Sequence, residues 1–304
     1  MVDDPRNKPR LTHQDILSFN FIRSSVPFVF RRHYHSGLRS HIMEVLRVED
    51  VERENQGIVV DSLKRFPRAI PSKMLRVFRT RFRDLREAEE ELRRVKLVET
   101  FLAPEYMALS NEFLVDFIGM GTRDFLLCGL QEYVPGENLD PWSPLEGRHL
   151  LPLFHHMASG RSGPPGPDRE KIWLKTLKEQ ALEFARRIRA MILEAGHIPD
   201  LAGVGNLIIT PSGSVRLVDI NNISRVSLDA TITLDDRGYP VCDKSVEALS
   251  LLERGLLEIA LDPGDPIYRT YLDPERMKEV KALEAEFHRS MAAQAVSTPT
   301  SFEL

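Results

Sequence analysis

Residues 196–223 read Gly-His-Ile-Pro-Asp-Leu-Ala-Gly-Val-Gly-Asn-Leu-Ile-Ile-Thr-Pro-Ser-Gly-Ser-Val-Arg-Leu-Val-Asp-Ile-Asn-Asn-Ile. Leu207 to Ile209 and Val215 to Val218 are apolar, β-branched-rich runs on either side of a Pro-Ser-Gly turn, a pattern that predicts a tight antiparallel hairpin. Asn206 then precedes the first strand and Asp219 ends the second, so both stand at the same end of the hairpin. Asp200 lies on the loop leading in. Three oxygen-bearing side chains at one edge of a rigid element are suited to hard divalent cations and phosphates. Taken without regard to the rest of the chain, Asp-x-x-Gly-x-Gly-Asn also reads as a turn-rich loop, since Gly, Asn and Asp are default turn residues.

The order of these residues resembles the catalytic and metal-binding loops of the protein-kinase-like superfamily. That family's pattern is His-x-Asp, an Asn five residues after the Asp, and Asp-Phe-Gly after the hairpin. Asp219 follows Asn206 by 13 residues, which fits. Three departures are visible: two residues separate His197 from Asp200, Asn206 comes six after Asp200, and the triplet is Asp219-Ile220-Asn221. The resemblance implies Asp200 as the catalytic residue and Asn206 and Asp219 as metal ligands. The extra residue bears on Asp200 as a base more than on the other two.

Upstream, Phe125 to Leu139 reads as a buried strand leaving into a Pro-Gly turn. It is similar to the kinase hinge, which implies adenine contacts from Glu132, Tyr133 and Val134. Phe82 to Leu102 carries Leu85, Leu92, Val95, Val98 and Leu102 near helical spacing, an amphipathic helix with a charged face. It stands where the family's small-lobe helix would, and Glu91 is the candidate to brace a phosphate-contacting cation, with Glu87 and Glu90 as rivals. The partner strand is Lys73 to Arg79. Its Arg76 takes the place of the family's lysine, with Lys73 as the alternative, and Arg is not a neutral swap because its fork is bidentate.

No Gly-x-Gly-x-x-Gly precedes Arg76. The strand-like runs Ile42 to Val48 and Gly57 to Leu63 are joined by the acidic Glu49 to Gln56, which would repel phosphate. Arg31 to His41 is markedly basic and reads as an anion site, a lipid or partner contact, or a solvated turn. Thr12 to Asn20 is expected to be helical. Ile172 to Ala195 predicts a long amphipathic helix stopped by Gly196. Val241 to Glu253 predicts a helix with Asp243 in its first turn, resembling the family helix whose Asp braces the catalytic loop. Ala230 to Pro240 is expected as a hairpin about Asp-Arg-Gly, and Pro274 to Ala293 as a final helix. No Ala-Pro-Glu closes the short segment from Asp219 to Asp243, which favours a small or lipid-like acceptor over a polypeptide.

A net charge of −4 gives no general pull toward nucleic acid, and two cysteines in 304 residues build no disulfide framework, so a reducing, cytoplasmic setting is expected. The N-terminal residues show no apolar signal core, and no run reaches the roughly 18 apolar residues of a spanning helix. The His residues are scattered and make no zinc pattern. The expected fold class is α+β, a two-lobed protein-kinase-like fold with a strand-rich N-lobe and a mainly helical C-lobe. Its layout is an N-terminal extension at 1–20, an N-lobe at 21–130, a hinge at 131–140, a C-lobe at 141–293 and a disordered tail at 294–304. The implied activity is a Mg- and ATP-dependent phosphotransfer to a hydroxyl of a small, sugar or lipid-like acceptor. The alternative is a pseudokinase, a nucleotide-binding or scaffold protein that engages a protein partner.

Overall fold

The computed structural model of the chain describes residues 4–22, 27–34, 39–119, 122–158 and 165–297. It divides into one unit of Met1–Arg94 with Ala108–Val134 and a second of Val95–Met107 with Pro135–Leu304. The first is rich in strands and the second in helices.

The first unit runs α1 (His13–Leu17), β1 (Phe28–Arg32), β2 (Ser40–Arg47), α2 (Val48–Gln56), β3 (Ile58–Val60), β4 (Leu63–Arg65), β5 (Lys73–Phe78), α3 (Leu85–Leu102), β6 (Ser110–Gly119) and β7 (Thr122–Glu132). Residues of α3 from Val95 onward belong to the second unit. Five strands make one antiparallel sheet in the order β1-β2-β5-β7-β6. Successive strand residues face opposite ways, and the sheet is apolar on both sides. Leu75, Val77, Leu126 and Cys128 pack with Leu11, Ile16 and Phe19 from the N-terminal residues. Phe78 and Leu127 point to the other side, against Ala88 and Leu92 of α3.

Residues 4–20 are therefore part of this core rather than an extension, and their helix is confined to His13–Leu17. Buried Arg6 fixes them, bonding Asp4, the Asp124 carboxylate and the Phe125 carbonyl. The acidic run does join two strands, β2 and β3, and it does so as the helix α2. Glu49 and Asp50 sit in its first turn, where carboxylates suit the helix dipole, and Gly57 at φ 75° stops it. The expected strand Gly57 to Leu63 breaks at a turn with Asp61 and Ser62 at positive φ, and among the described residues β3 and β4 pair only with each other.

The second unit contains β8 (Glu137–Asn138), α4 (Gly147–Ala158), α5 (Pro167–Ala195), β9 (His197–Pro199), β10 (Leu207–Ile209), β11 (Val215–Leu217), β12 (Ile223–Arg225), α6 (Val241–Leu251), a π turn at Leu252–Leu256, α7 (Pro266–Tyr271) and α8 (Pro274–Ser297). The stripe Trp173, Leu177, Ala181, Phe184, Ile188 and Ile192 buries α5 in the core of this unit. Pro167 opens α5 at its first position, and Gly196, left-handed at φ 65°, ends it by donating to Ile192 O at 3.0 Å. The tail expected to be disordered from 294 is helical as far as Ser297; residues 298–304 lie outside the described region, as do 159–164.

His41 of β2 ties the N-terminal residues to the sheet. Its Nε2 lies 3.0 Å from Pro5 O and its Nδ1 3.4 Å from Arg79 Nη2, an arrangement satisfied by the neutral ring. Burial, and next the Arg79 charge, lower its pKa to about 4. The unfolded chain takes up that proton first, so the contribution is complete above pH 6.5 and is lost as pH falls toward 4. Denaturant unfolding followed from pH 7 to pH 4 should show the wild type losing about 3 kcal/mol from this residue, a loss that His41→Gln removes.

Candidate functional site

Strand pairing in the second unit assembles the residues singled out in the sequence. β9 pairs with β12 (Ile223↔Pro199, Arg225↔His197), and Asp200 N extends the ladder by donating to Asn222 O at 2.8 Å. β10 and β11 form the expected hairpin, with Leu207 opposite Leu217 and Ile209 opposite Val215. Val218 N donates to Asn206 O at 2.8 Å, which sets Asn206 beside the chain that leads into Asp219. β8 adds a third strand, and Gly136 before it lies so close to Ile209 O that a Cβ has no room.

The side chains then lock the loop. Asp200 Oδ1 accepts from Ala202 N at 2.9 Å and Gly203 N at 3.1 Å, and Oδ2 accepts from Asn222 Nδ2 at 3.0 Å. Asn206 Nδ2 donates to Asp200 O at 2.9 Å, so the amide carries its oxygen at the opposite end. Burial raises the pKa of Asp200, and the nearby charge of Asp219 adds to the effect. Asp200, Asn206 and Asp219 are thus gathered into one neighbourhood.

Among the described residues no group of three or more His, Cys, Asp or Glu is placed to hold a metal ion. A cation here would rely on amide as well as carboxylate oxygens. Asn206, Asp219 and the adjacent Asn221 supply such a set, hard oxygen donors of the kind magnesium takes. Asn221 is only 7% exposed, and neither its Oδ1 nor its Nδ2 has a hydrogen-bond partner among the described residues. Burying an unsatisfied amide is costly, so the donor set fits a cation with its anionic partner.

The loop is braced by residues that the sequence pattern does not single out. Ser245 Oγ, fully buried on α6, accepts from Leu201 N at 3.1 Å. Trp142 Nε1 donates to Ala202 O at 3.0 Å, and Lys244 Nζ stands 4.1 Å from the Trp142 ring centre. Lys244 also pairs with Glu247 at 2.8 Å and with Glu284 of α8 at 3.1 Å. Asp243, expected to brace the loop, is bonded instead by Arg276, at 2.6 and 3.2 Å. The same guanidinium donates to the carbonyls of Asp229 and Thr231, taking acceptors that a strand would need. Hence Ala230 to Pro240 holds no strand, only a turn in which Asp235 N donates to Tyr239 O at 2.9 Å.

In the first unit Lys73 is exposed at the start of β5, whereas Arg76 is 5% exposed in its middle. Strand alternation puts Arg76 on the side of Phe78, the side that α3 covers, and opposite it in β7 stands Gly129, where a Cβ would lie 3.3 Å from Glu112 Oε1. Glu91 sits on α3 one turn beyond Ala88 and pairs with Arg94 at 3.4 Å. Glu132 ends β7 with its N–H donated to Leu109 O at 2.8 Å, and Tyr133 and Val134 follow, half-buried. Arg31 of the basic stretch is engaged by Glu44 at 2.8 Å and Glu54 at 2.6 Å, which makes it part of an ion-pair network rather than an open anion site; residues 35–38 of that stretch lie outside the described region. No helix among the described residues is long and apolar enough to cross a membrane.

No protein-family description matches the chain, and no curated protein matches it. Among solved structures that match is one titled "ROP18 kinase domain in complex with AMP-PNP and sucrose", at 14% identity and a TM-score of 0.35, over 88% of this chain and 80% of that one. A superposition that loose supports no residue correspondence, so the role of each side chain has to come from its own surroundings in this chain.

Gly203 leaves room for Asn206: a Cβ there would lie 2.5 Å from Asn206 Nδ2 and 2.8 Å from its Cγ. Gly203→Ala should displace the Asn206 amide and cost about 1–3 kcal/mol, read by denaturant unfolding. Ser245→Ala, which strands the buried Leu201 N–H, should cost a similar amount, about 1–3 kcal/mol.

Proposed function

We propose that this protein is a kinase-like phosphotransferase that uses Mg and ATP to phosphorylate a hydroxyl of a small, sugar or lipid-like acceptor in the cytoplasm. The observation that supports the reading is the gathering of Asp200, Asn206 and Asp219: the Asn206 amide donates to Asp200 O, and Val218, the residue before Asp219, bonds Asn206 O. Asn206 and Asp219 would hold the magnesium. The ion's charge would spread over the phosphates and offset the negative charge that develops on them.

Asp200 would accept the acceptor hydroxyl's proton or orient it. Its carboxylate accepts three hydrogen bonds out of about four lone-pair sites, so one direction remains for a substrate proton. Its raised proton affinity suits a base better than an ordinary, solvated Asp would. In the first unit, buried Arg76, with Glu91, is the candidate for the phosphates; Lys73, being exposed, is the weaker one. Glu132 to Val134 is the stretch assigned to adenine. The Glu132 N–H is already donated to Leu109 O.

A pseudokinase that binds nucleotide or a protein partner without turnover is the second reading. It is favoured by the Asp-Ile-Asn triplet, the absence of Gly-x-Gly-x-x-Gly before Arg76 and the heavy hydrogen bonding of Asp200. Thermal unfolding with millimolar ATP separates these readings from an unrelated fold. The melting temperature should rise with MgATP, by mass action, and the magnesium-dependent part should vanish in Asp219→Ala. Asp200→Ala should keep that rise while losing phosphoryl transfer to any acceptor found by screening. Turnover equal to wild type in Asp200→Ala would remove Asp200 from the mechanism.

A further inference from the structure

Ile220 is fully buried in the core of the second unit, packed in the cluster that includes Leu201, Leu207 and Leu217. The residues flanking it are both polar. The chain around them is fixed at two points, Val218 N on Asn206 O and Asp200 N on Asn222 O, each at 2.8 Å. Asp219 and Asn221 lie between these anchors, in the segment bordering the Asp200–Asn206 loop, and the chain bends at Asn221. Asn222 next door bonds Asp200 Oδ2 at 3.0 Å.

Asn221 stands apart from its neighbours in one respect. It is buried, with 7% exposure, yet no described residue satisfies either end of its amide. Burial without partners is rare because water has been lost and nothing has replaced it. An apolar residue would be more stable at such a position, so a polar one points to a group that binds there.

We infer that Asn221 is a third ligand-contacting residue beside Asn206 and Asp219, its Oδ1 directed to a divalent cation or a cation-bound water and its Nδ2 to a phosphate oxygen. This rests on the phosphotransferase reading and deepens it, by assigning the ligand's charge pattern. A carboxamide serves both signs at once, accepting from the cationic side and donating to the anionic side. It thus selects a metal-bound polyphosphate over either free partner.

The test compares the full-length wild type with Asp219→Ala, Asn221→Ala and Asn221→Leu, the last an apolar side chain of similar branching. Thermal unfolding gives ligand-free stability, and titration calorimetry gives affinity for MgATP. Both Asn221 variants should bind MgATP at least tenfold more weakly, while Asn221→Leu without ligand melts at or above the wild-type temperature. A lower ligand-free melting temperature in both variants would mean the amide serves the fold, and would overturn the inference. Wild-type affinity in both Asn221 variants, with binding lost in Asp219→Ala, would overturn it and leave the phosphotransferase reading standing. If the wild type itself fails to bind MgATP, both fall together.

Discussion

The carboxylate of Asp200 is the constraint on which the second unit's loop depends. Two backbone N–H groups and one side-chain amide converge on it, and its own N–H and carbonyl are bonded to Asn222 and Asn206. Five bonds through one residue leave the loop between β9 and β10 little freedom. They also explain why Gly203 and Asn206 occur in that order. Gly203 gives its N–H to the carboxylate and its missing Cβ to the Asn206 amide. A half-buried carboxylate held this way is costly to desolvate, and its raised proton affinity is the sign of that cost.

The chain after β12 is held from outside by the last helices. Tyr271 of α7 bonds both the N–H and the carbonyl of Ser227; from α8, Arg276 takes two carbonyls and Glu284 accepts from the Tyr239 hydroxyl. Phe287 packs on the Tyr239 ring at 5.0 Å. Glu284 also reaches Lys244, which lies over Trp142, which in turn bonds the loop beside Asp200. The segment is therefore fixed by contacts present in the folded chain itself.

What the sequence conveyed depended on how local the cause was. The hairpin of β10 and β11 follows from two short β-branched runs and a Gly at positive φ, all within a few residues, and so does the end of α5 at Gly196. The gathering of Asp200, Asn206 and Asp219 followed from that hairpin. Ser245, Trp142 and Asn222 did not show, because each acts on the loop through pairings that chain order does not reveal. Asn222 left a faint signal, a second Asn directly after Asp219-Ile220-Asn221. Asp243 was legible as a helix-start acid but not as the partner of Arg276, which lies 33 residues away in α8. In the N-terminal region the polar, Pro-containing first residues concealed Arg6, whose burial is sustained by Asp4 and Asp124. Composition alone marks such an arginine as surface.

The electrostatics of Asp200 and Asp219 link the two roles proposed for them. Part of the raised proton affinity of Asp200 is repulsion from the Asp219 charge, and the larger part is burial. A cation that neutralised the Asp219 charge would remove that repulsion and lower the proton affinity of Asp200, leaving the part due to burial. The Asn222 amide moderates the effect by stabilising the ionised carboxylate. Burial and repulsion thus raise the proton affinity of this carboxylate, while the hydrogen bonds from Asn222, Ala202 and Gly203 lower it.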